Sequence, residues 1–396
     1  MMFFCSVSPP SPLFSLLVVL VTGACGYLAS HIIQQLQESG YRVRATVRTL
    51  EDREKVKYLH GLCAGASHQV ELVEADLLSG QGWSEIVKDC KYALLVATAR
   101  PSRQLHDHED KHLSAADRKD KEKEKEKEKK DRQKEDLVQA AVDGTLNVLR
   151  AIAETNPEIT RVILTSSLSA VAAHGGNTQP FSELDWPYFD DPAVLPQAKA
   201  KVAAERAAWD FVKKLPHGKK FDLAVVNPAE MMGPARHHHH GPATELLCQL
   251  LEKKVSSVPA FILPCVDVRD VARAHLICMV NVETIGHRHI LYADSMWIKH
   301  IAELLDVEFG PQGYHIPKSQ ELGIVTTLSS WFDHSIKENK LVASQPMVID
   351  NSRMRTVLGM EPIDLKTSIV DMAYSLIENG FVKKTDKYKG PHQPKV

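Results

Sequence analysis

A chain of 396 residues with 44% hydrophobic and 25% charged side chains has ample material for one large α/β unit or two ordinary domains. Its 48 Lys and Arg nearly balance 50 Asp and Glu, and the formal net charge of −2 creates no global field for nucleic acid or an anionic membrane. The seven cysteines are scattered, odd in number and without a Cys-x-x-Cys pair, which argues against a disulfide framework or a zinc site and fits a reducing compartment.

Residues 1–15 read as a loose extension. Residues 13–21 resemble the apolar core of a signal peptide, but no Lys or Arg precedes them, and cleavage after Ala24 would remove the first strand. The run is too short to span a bilayer, so a cytoplasmic protein without a membrane partner is expected. Residues 16–22 form a continuous branched apolar run, as in a strand buried on both faces of a parallel sheet. Leu28, Ile32 and Leu36 then recur at helical spacing, and Gly40 supplies a stop. Strand patterns follow at residues 41–48, 70–73, 93–97, 162–164 and 223–226, with helical patterns between them. Such alternation predicts a parallel sheet with right-handed crossovers.

Residues 118–136 break the pattern, being almost wholly charged around an alternating Lys-Glu run. Opposite charges fall at i,i+3 but like charges at i,i+4, so helix support largely cancels and no apolar face exists to bury. A disordered insert, taken broadly as residues 105–136, is expected before a helix at residues 137–152. The near balance of acids and bases gives a nucleic-acid arm little support.

The first strand runs into Gly23-Ala24-Cys25-Gly26-Tyr27-Leu28-Ala29 and then a helix. Gly23 permits a tight turn, Gly26 lets the backbone approach a pyrophosphate, and Ala29 lets helix and strand pack closely, with the helix N-terminus facing the phosphates. This is a dinucleotide fingerprint in its proper context. Arg48 ends the second strand, where NAD-binding chains place a carboxylate for the ribose 2′-hydroxyl. A guanidinium fork there suits a 2′-phosphate, so NADP is expected, with Lys55 as a second cation and Asp76 as an acceptor for the adenine amino group.

These segments together resemble the extended short-chain dehydrogenase/reductase family, in its dihydroflavonol-reductase-like branch of the NAD-dependent epimerase/dehydratase fold. The matching pieces include Val43-Arg44-Ala45-Thr46-Val47-Arg48, Ala75-Asp76-Leu77, Val96-Ala97-Thr98, Gly144-Thr145-Leu146-Asn147, Leu164-Thr165-Ser166-Ser167, Ala204-Glu205, Asn227-Pro228 and Asp267-Val268-Arg269-Asp270. The resemblance implies a Rossmann-type doubly wound sheet of about seven strands over residues 16–230 and a smaller, mainly substrate-binding region over residues 231–390. It also implies NADPH-dependent reduction of an aldehyde or ketone, with Leu77, Ala97, Thr98 and Pro228 joining the cofactor site. The family uses a Ser, a Tyr and a Lys four residues after the Tyr. Ser167 and Lys201 match, but Gln197 stands where the Tyr belongs. A carboxamide donates a hydrogen bond yet supplies no proton near neutral pH. The chain therefore reads either as a reductase with an altered acid or as a non-catalytic NADP-binding pseudoenzyme. Ala172 replaces an Asn of the flavonoid reductases, and the aromatic signature of the cinnamoyl-CoA reductases is missing, leaving a generic small carbonyl substrate.

The histidine run at residues 237–240 lacks carboxylate or thiol partners, so no metal is expected there. Asp267, Arg269 and Asp270 read as an ion-paired tie between the C-terminal region and the sheet. Tyr314, Trp331 and Phe332 either line a pocket or fill the smaller core. Composition leaves the oligomeric state open.

Overall fold

A strand with apolar residues on both sides of its pleat must lie between two layers, and β1 (Val18–Val21) is buried at all four positions. The computed structural model describes residues 17–101, 115–172, 177–191, 194–236, 241–321 and 345–391, the side chains of residues 115–131 and 320–321 apart. After β1 come α1 (Tyr27–Glu38), β2 (Arg42–Val47), α2 (Arg53–His60), β3 (Glu71–Glu74), α3 (Trp83–Ile86), β4 (Cys90–Leu95), α4 (Ala115–Thr155), β5 (Arg161–Thr165), α5 (Pro196–Lys214) and β6 (Asp222–Pro228). The rest comprises β7 (Glu230–Met232), α6 (Pro242–Leu251), β8 (Val258–Pro259), β9 (Ile262–Asp267), α7 (Val268–Val280), β10 (Arg288–Leu291), β11 (Asp294–Trp297), α8 (Ile298–Phe309), β12 (Gln320–Glu321), α9 (Ser352–Thr356) and α10 (Leu365–Glu378).

Seven strands form one sheet in the order β10-β6-β5-β4-β1-β2-β3, and every neighbouring pair is parallel. The predicted strands all belong to it; β10 is the seventh, which periodicity had not marked. On one face Val19 and Val21 pack with Ile32 of α1 and Val271 of α7; on the other Leu20 packs with Leu149 of α4 and Ala208 of α5. The sheet is thus covered on both sides, as the doubly wound reading requires. The strand order reverses between β1 and β4, and the crevice above the carboxyl ends of those strands is where such sheets bind ligands.

The charged stretch departs from expectation. Residues 105–114 lie outside the described residues, but α4 begins at Ala115 and runs unbroken to Thr155, so residues 115–136 are helical rather than disordered. The packed C-terminal half, where Leu149 and Ile152 are buried, supplies the nucleus; Lys and Glu are good helix formers, and extension from an existing turn is cheap.

A second apolar cluster joins Met232, Leu246, Leu250, Leu263, Phe309, Ile369 and Leu376, drawn from β7, α6, β9, α8 and α10. Tyr314 sits within it, 4% exposed, and donates to the Lys383 carbonyl at 3.2 Å, so it fills this core. Trp331 and Phe332 lie outside the described residues. Arg269 bridges Asp267 at 2.7 Å and Asp371 of α10 at 2.8 Å, while Asp270 accepts from the Ile363 amide at 2.7 Å. These bonds tie the end of the chain to the sheet. Among the described residues no helix is long and apolar enough to cross a membrane, and no group of three or more His, Cys, Asp and Glu is placed to hold a metal. The histidines at residues 237–240 and the extension at residues 1–15 lie outside the described residues.

Glu230 opens β7, opposite Cys265 of β9, and burial pushes its carboxyl up to about 7, against a smaller downward pull from the Ala243 amide. A carboxyl whose folded value exceeds its unfolded value binds protons more tightly in the native state. Stability therefore falls as pH rises from the ordinary glutamate range through 7, by up to about 1.4 kcal/mol per pH unit. Glu230→Gln is expected to raise the melting temperature by several degrees at pH 8 and to leave it unchanged at pH 4.5, read by calorimetry.

Candidate active site

Gly23 adopts φ +72°, and a Cβ there would sit 2.6 Å from the Ala97 Cβ, so only glycine fits where the β1 turn passes the end of β4. Two threonines lock this turn. The Gly23 amide donates to Thr46 Oγ1 at 3.0 Å, and Thr22 Oγ1 accepts from the Val96 and Ala97 amides at 2.9 and 3.1 Å. Gly26, the N-cap of α1, offers no side-chain cap, and the first turn carries no acidic residue. The helix opens with amide donors and no competing carboxylate, a donor set that fits a dinucleotide pyrophosphate. Leu28 and Ala29 are buried in the core behind it. Tyr27 donates from its hydroxyl to the Gly233 carbonyl at 2.7 Å, fastening α1 to the start of the C-terminal region.

Arg48 lies exposed just past β2, and no hydrogen bond or ion pair engages it among the described residues. Lys55 is instead held by Asp52 at 2.6 Å. Asp76 is exposed past β3, its carboxylate accepting from the Leu78 amide at 3.0 Å. The Leu77 carbonyl accepts from Asn147 of α4 at 2.9 Å. Close by, a Cβ on Gly144 would meet the Ala99 Cβ at 2.5 Å and the Leu77 Cβ at 3.2 Å. Gly144 is thus what lets α4 approach the crevice.

Ser167 follows β5, half-buried, with its hydroxyl 2.9 Å from the Ser169 hydroxyl. Its carbonyl accepts from Asn227 Nδ2 at 3.2 Å, one residue before Pro228, which is buried at the end of β6. From α5, Lys201 Nζ donates to Thr98 Oγ1 at 2.8 Å and to the Thr165 carbonyl at 3.0 Å, joining the ends of β4 and β5. Burial pulls this ammonium down to about 8, against a smaller upward pull from Glu205. The lysine thus stays largely protonated at neutral pH while being an acid of useful strength. Gln197 is exposed in the first turn of α5, one turn before Lys201 and on the same face. Lys201 thus bonds Thr98 just past β4, while Ser167 and Pro228 stand at the carboxyl ends of the neighbouring strands β5 and β6.

Sequence reasoning missed the frame that holds them. Glu205, wholly buried on α5, pairs with Arg288 Nε at 2.6 Å and accepts from Asn227 Nδ2 at 3.0 Å. Arg288 also donates to the carbonyls of Ala170 at 2.7 Å and Asp185 at 2.6 Å, and stacks 3.8 Å from the Trp186 ring. Two opposite charges 83 residues apart carry no periodic signal, and neither do Thr22 and Thr46 inside strand patterns.

Two family models match the chain: the NAD dependent epimerase/dehydratase family over residues 123–292 and the NmrA-like family over residues 17–117. The chain is 33% identical over 279 residues to cinnamoyl-CoA reductase CAD2 of Medicago truncatula, covering 69% of this chain and 75% of that relative. The chain belongs to the NAD-dependent epimerase/dehydratase family. Over 91% of its length, and 98% of the relative's, it is 28% identical to the putative NADPH-dependent methylglyoxal reductase GRP2 of Candida albicans. Among solved structures, yeast methylglyoxal/isovaleraldehyde reductase Gre2 complexed with NADPH superposes with a TM-score of 0.69 at 25% identity, covering 91% of this chain and 98% of that one.

Proposed function

We propose that this family member binds NADPH and reduces an aldehyde or ketone to an alcohol. The observation that carries the reading is Lys201 bonded to Thr98 and to the Thr165 carbonyl, two residues before Ser167, in a sheet whose first helix, α1, opens uncapped and free of acid. The relatives' names, with NADPH-dependent methylglyoxal and cinnamoyl-CoA reductases among them, support the same chemistry. Amides of the first turn of α1 would hold the pyrophosphate, Arg48 the 2′-phosphate, and Lys201 the nicotinamide ribose, with Asp76, Leu77, Ala97, Thr98 and Pro228 around them. NADPH, when bound, supplies the hydride. Ser167 donates to the carbonyl oxygen as negative charge gathers there. Residues 231–390 would form most of the substrate side. A second reading, an NADP-binding pseudoenzyme, rests on Gln197.

Binding is tested by titrating NADPH fluorescence. Gly26→Val places new atoms about 3 Å from the Gly23 carbonyl at an ordinary φ of −72°, so the variant should fold yet bind NADPH at least 100-fold more weakly. Unchanged uptake would remove the basis of the reading. Arg48→Ser should cost NADPH about tenfold to a hundredfold in Kd, the scale of one charge-assisted contact, and leave NADH binding alone. A panel of aldehydes and ketones then separates the reductase from the pseudoenzyme.

A further inference from the structure

We propose, resting on the reductase reading, that Lys201 is itself the proton source, its Nζ–H passing a proton through one water at Gln197 to the substrate oxygen. The geometry carries this. Two of the three ammonium hydrogens are committed, to Thr98 Oγ1 at 2.8 Å and to the Thr165 carbonyl at 3.0 Å, which leaves the third to be shared in the crevice between a nicotinamide ribose hydroxyl and a water. Thr98, three residues past β4, and Thr165, the last residue of the adjacent β5, set the direction of the amine. Gln197 lies one helical turn away on the same face, where about 5–6 Å separates neighbouring Cβ atoms, room for one bridging water. Its carboxamide can accept from that water and donate to it, so it holds the relay without titrating.

The surroundings suit an acid that cycles. Glu205, one turn further along α5, faces Lys201 but is engaged by Arg288, and Arg100 past β4 pulls the ammonium value down. Behind Thr165 lies His275 of α7, with Nε2 2.7 Å from Thr165 Oγ1; burial pulls its imidazole down to about 4, which keeps it neutral. From α4, the packed residues Leu137, Val138 and Ala141 are apolar. No competing base therefore faces the ammonium from these elements. The step balances: hydride reaches the carbonyl carbon, the π pair moves to oxygen, the water gives that oxygen a proton and takes one from Nζ. The neutral amine then recovers its proton from solvent on the Gln197 side.

The test is the pH profile of kcat/KM for aldehyde reduction, with NADPH binding measured alongside. The wild type should lose activity above a pH near 8. Lys201→Arg keeps a cation for the ribose but titrates far higher, so NADPH should bind within about threefold of wild type while kcat/KM drops at least 100-fold and the limb near 8 disappears. In protein labelled at lysine 13Cε, without NADPH, one resonance absent from Lys201→Arg should titrate near 8. Glu230→Gln, which removes a carboxyl that burial pushes up to about 7, should leave the limb in place. A flat wild-type profile, a Lys201→Arg enzyme within threefold of wild type, or loss of the limb in Glu230→Gln overturns the proposal. Wild-type protein that takes up NADPH but reduces nothing, while Gln197→Tyr turns over, shows that Lys201 cannot serve. Silence in both overturns the reductase reading itself.

Discussion

Gln197→Tyr is expected to raise kcat/KM for aldehyde reduction by up to about 10²-fold, the low end of the worth of a positioned general acid, because Lys201 already delivers a proton through water in the wild type. The substitution restores a phenol four residues before Lys201, one helical turn away and on the face that the ammonium shares. Lys201 would favour the phenolate and lower the proton-transfer barrier, while Ser167 keeps its place at the end of β5. Because Gln197 is exposed in the first turn of α5, the change should move stability by less than about 0.5 kcal/mol, so a gain in rate reports chemistry and not folding. Adding Lys201→Ala to the Tyr variant should abolish the gain. A Tyr variant that binds NADPH normally and is no faster than wild type would mean that the crevice does not present a carbonyl to this position.

The parts of the molecule legible in the sequence are those in which physics acts locally. The four buried residues of β1, the glycine turn and the amphipathic α1 follow one another within 21 residues, and each constrains the next. Ser167 and Lys201 are assigned through the resemblance to the family motif, with Ala204-Glu205 fixing the register of the lysine. What escaped was non-local or context-dependent. Thr46 closes the Gly23 turn from another strand, and nothing in an alternating strand distinguishes it from a filler residue. Residues 115–136 are helical because they extend a helix already anchored by Leu149 and Ile152, a context that isolated-helix energetics leave out. Lys55, expected as a second cation near the 2′-phosphate, is paired with Asp52 three residues earlier. Short-range pairing of that kind is visible in a sequence only when the helix boundary is known.

Arg288→Met should destabilise the fold by about 3–5 kcal/mol and slow the reaction as well. The pair it breaks is fully enclosed: Glu205 is 0% and Arg288 6% exposed. Removing the guanidinium strands a carboxylate whose other partners, Asn227 at 3.0 Å and Trp209 at 3.3 Å, are neutral donors. It also orphans the Ala170 and Asp185 carbonyls and takes from Trp186 the nearer of its two guanidinium partners, leaving Arg206 at 5.0 Å. The catalytic consequence follows from the same bonds. Asn227 spans Glu205 and the Ser167 carbonyl, so a displaced carboxylate loosens the residue that should polarise the substrate. Urea denaturation of wild type, Arg288→Met and Glu205→Gln separates the contributions. The neutral amide at residue 205 removes the buried charge while keeping its acceptor oxygen, so combining it with Arg288→Met should recover part of the lost stability. If Arg288→Met costs under 1 kcal/mol, solvent must reach Glu205. The frame holding Ser167 would then be looser than the enclosed ion pair implies.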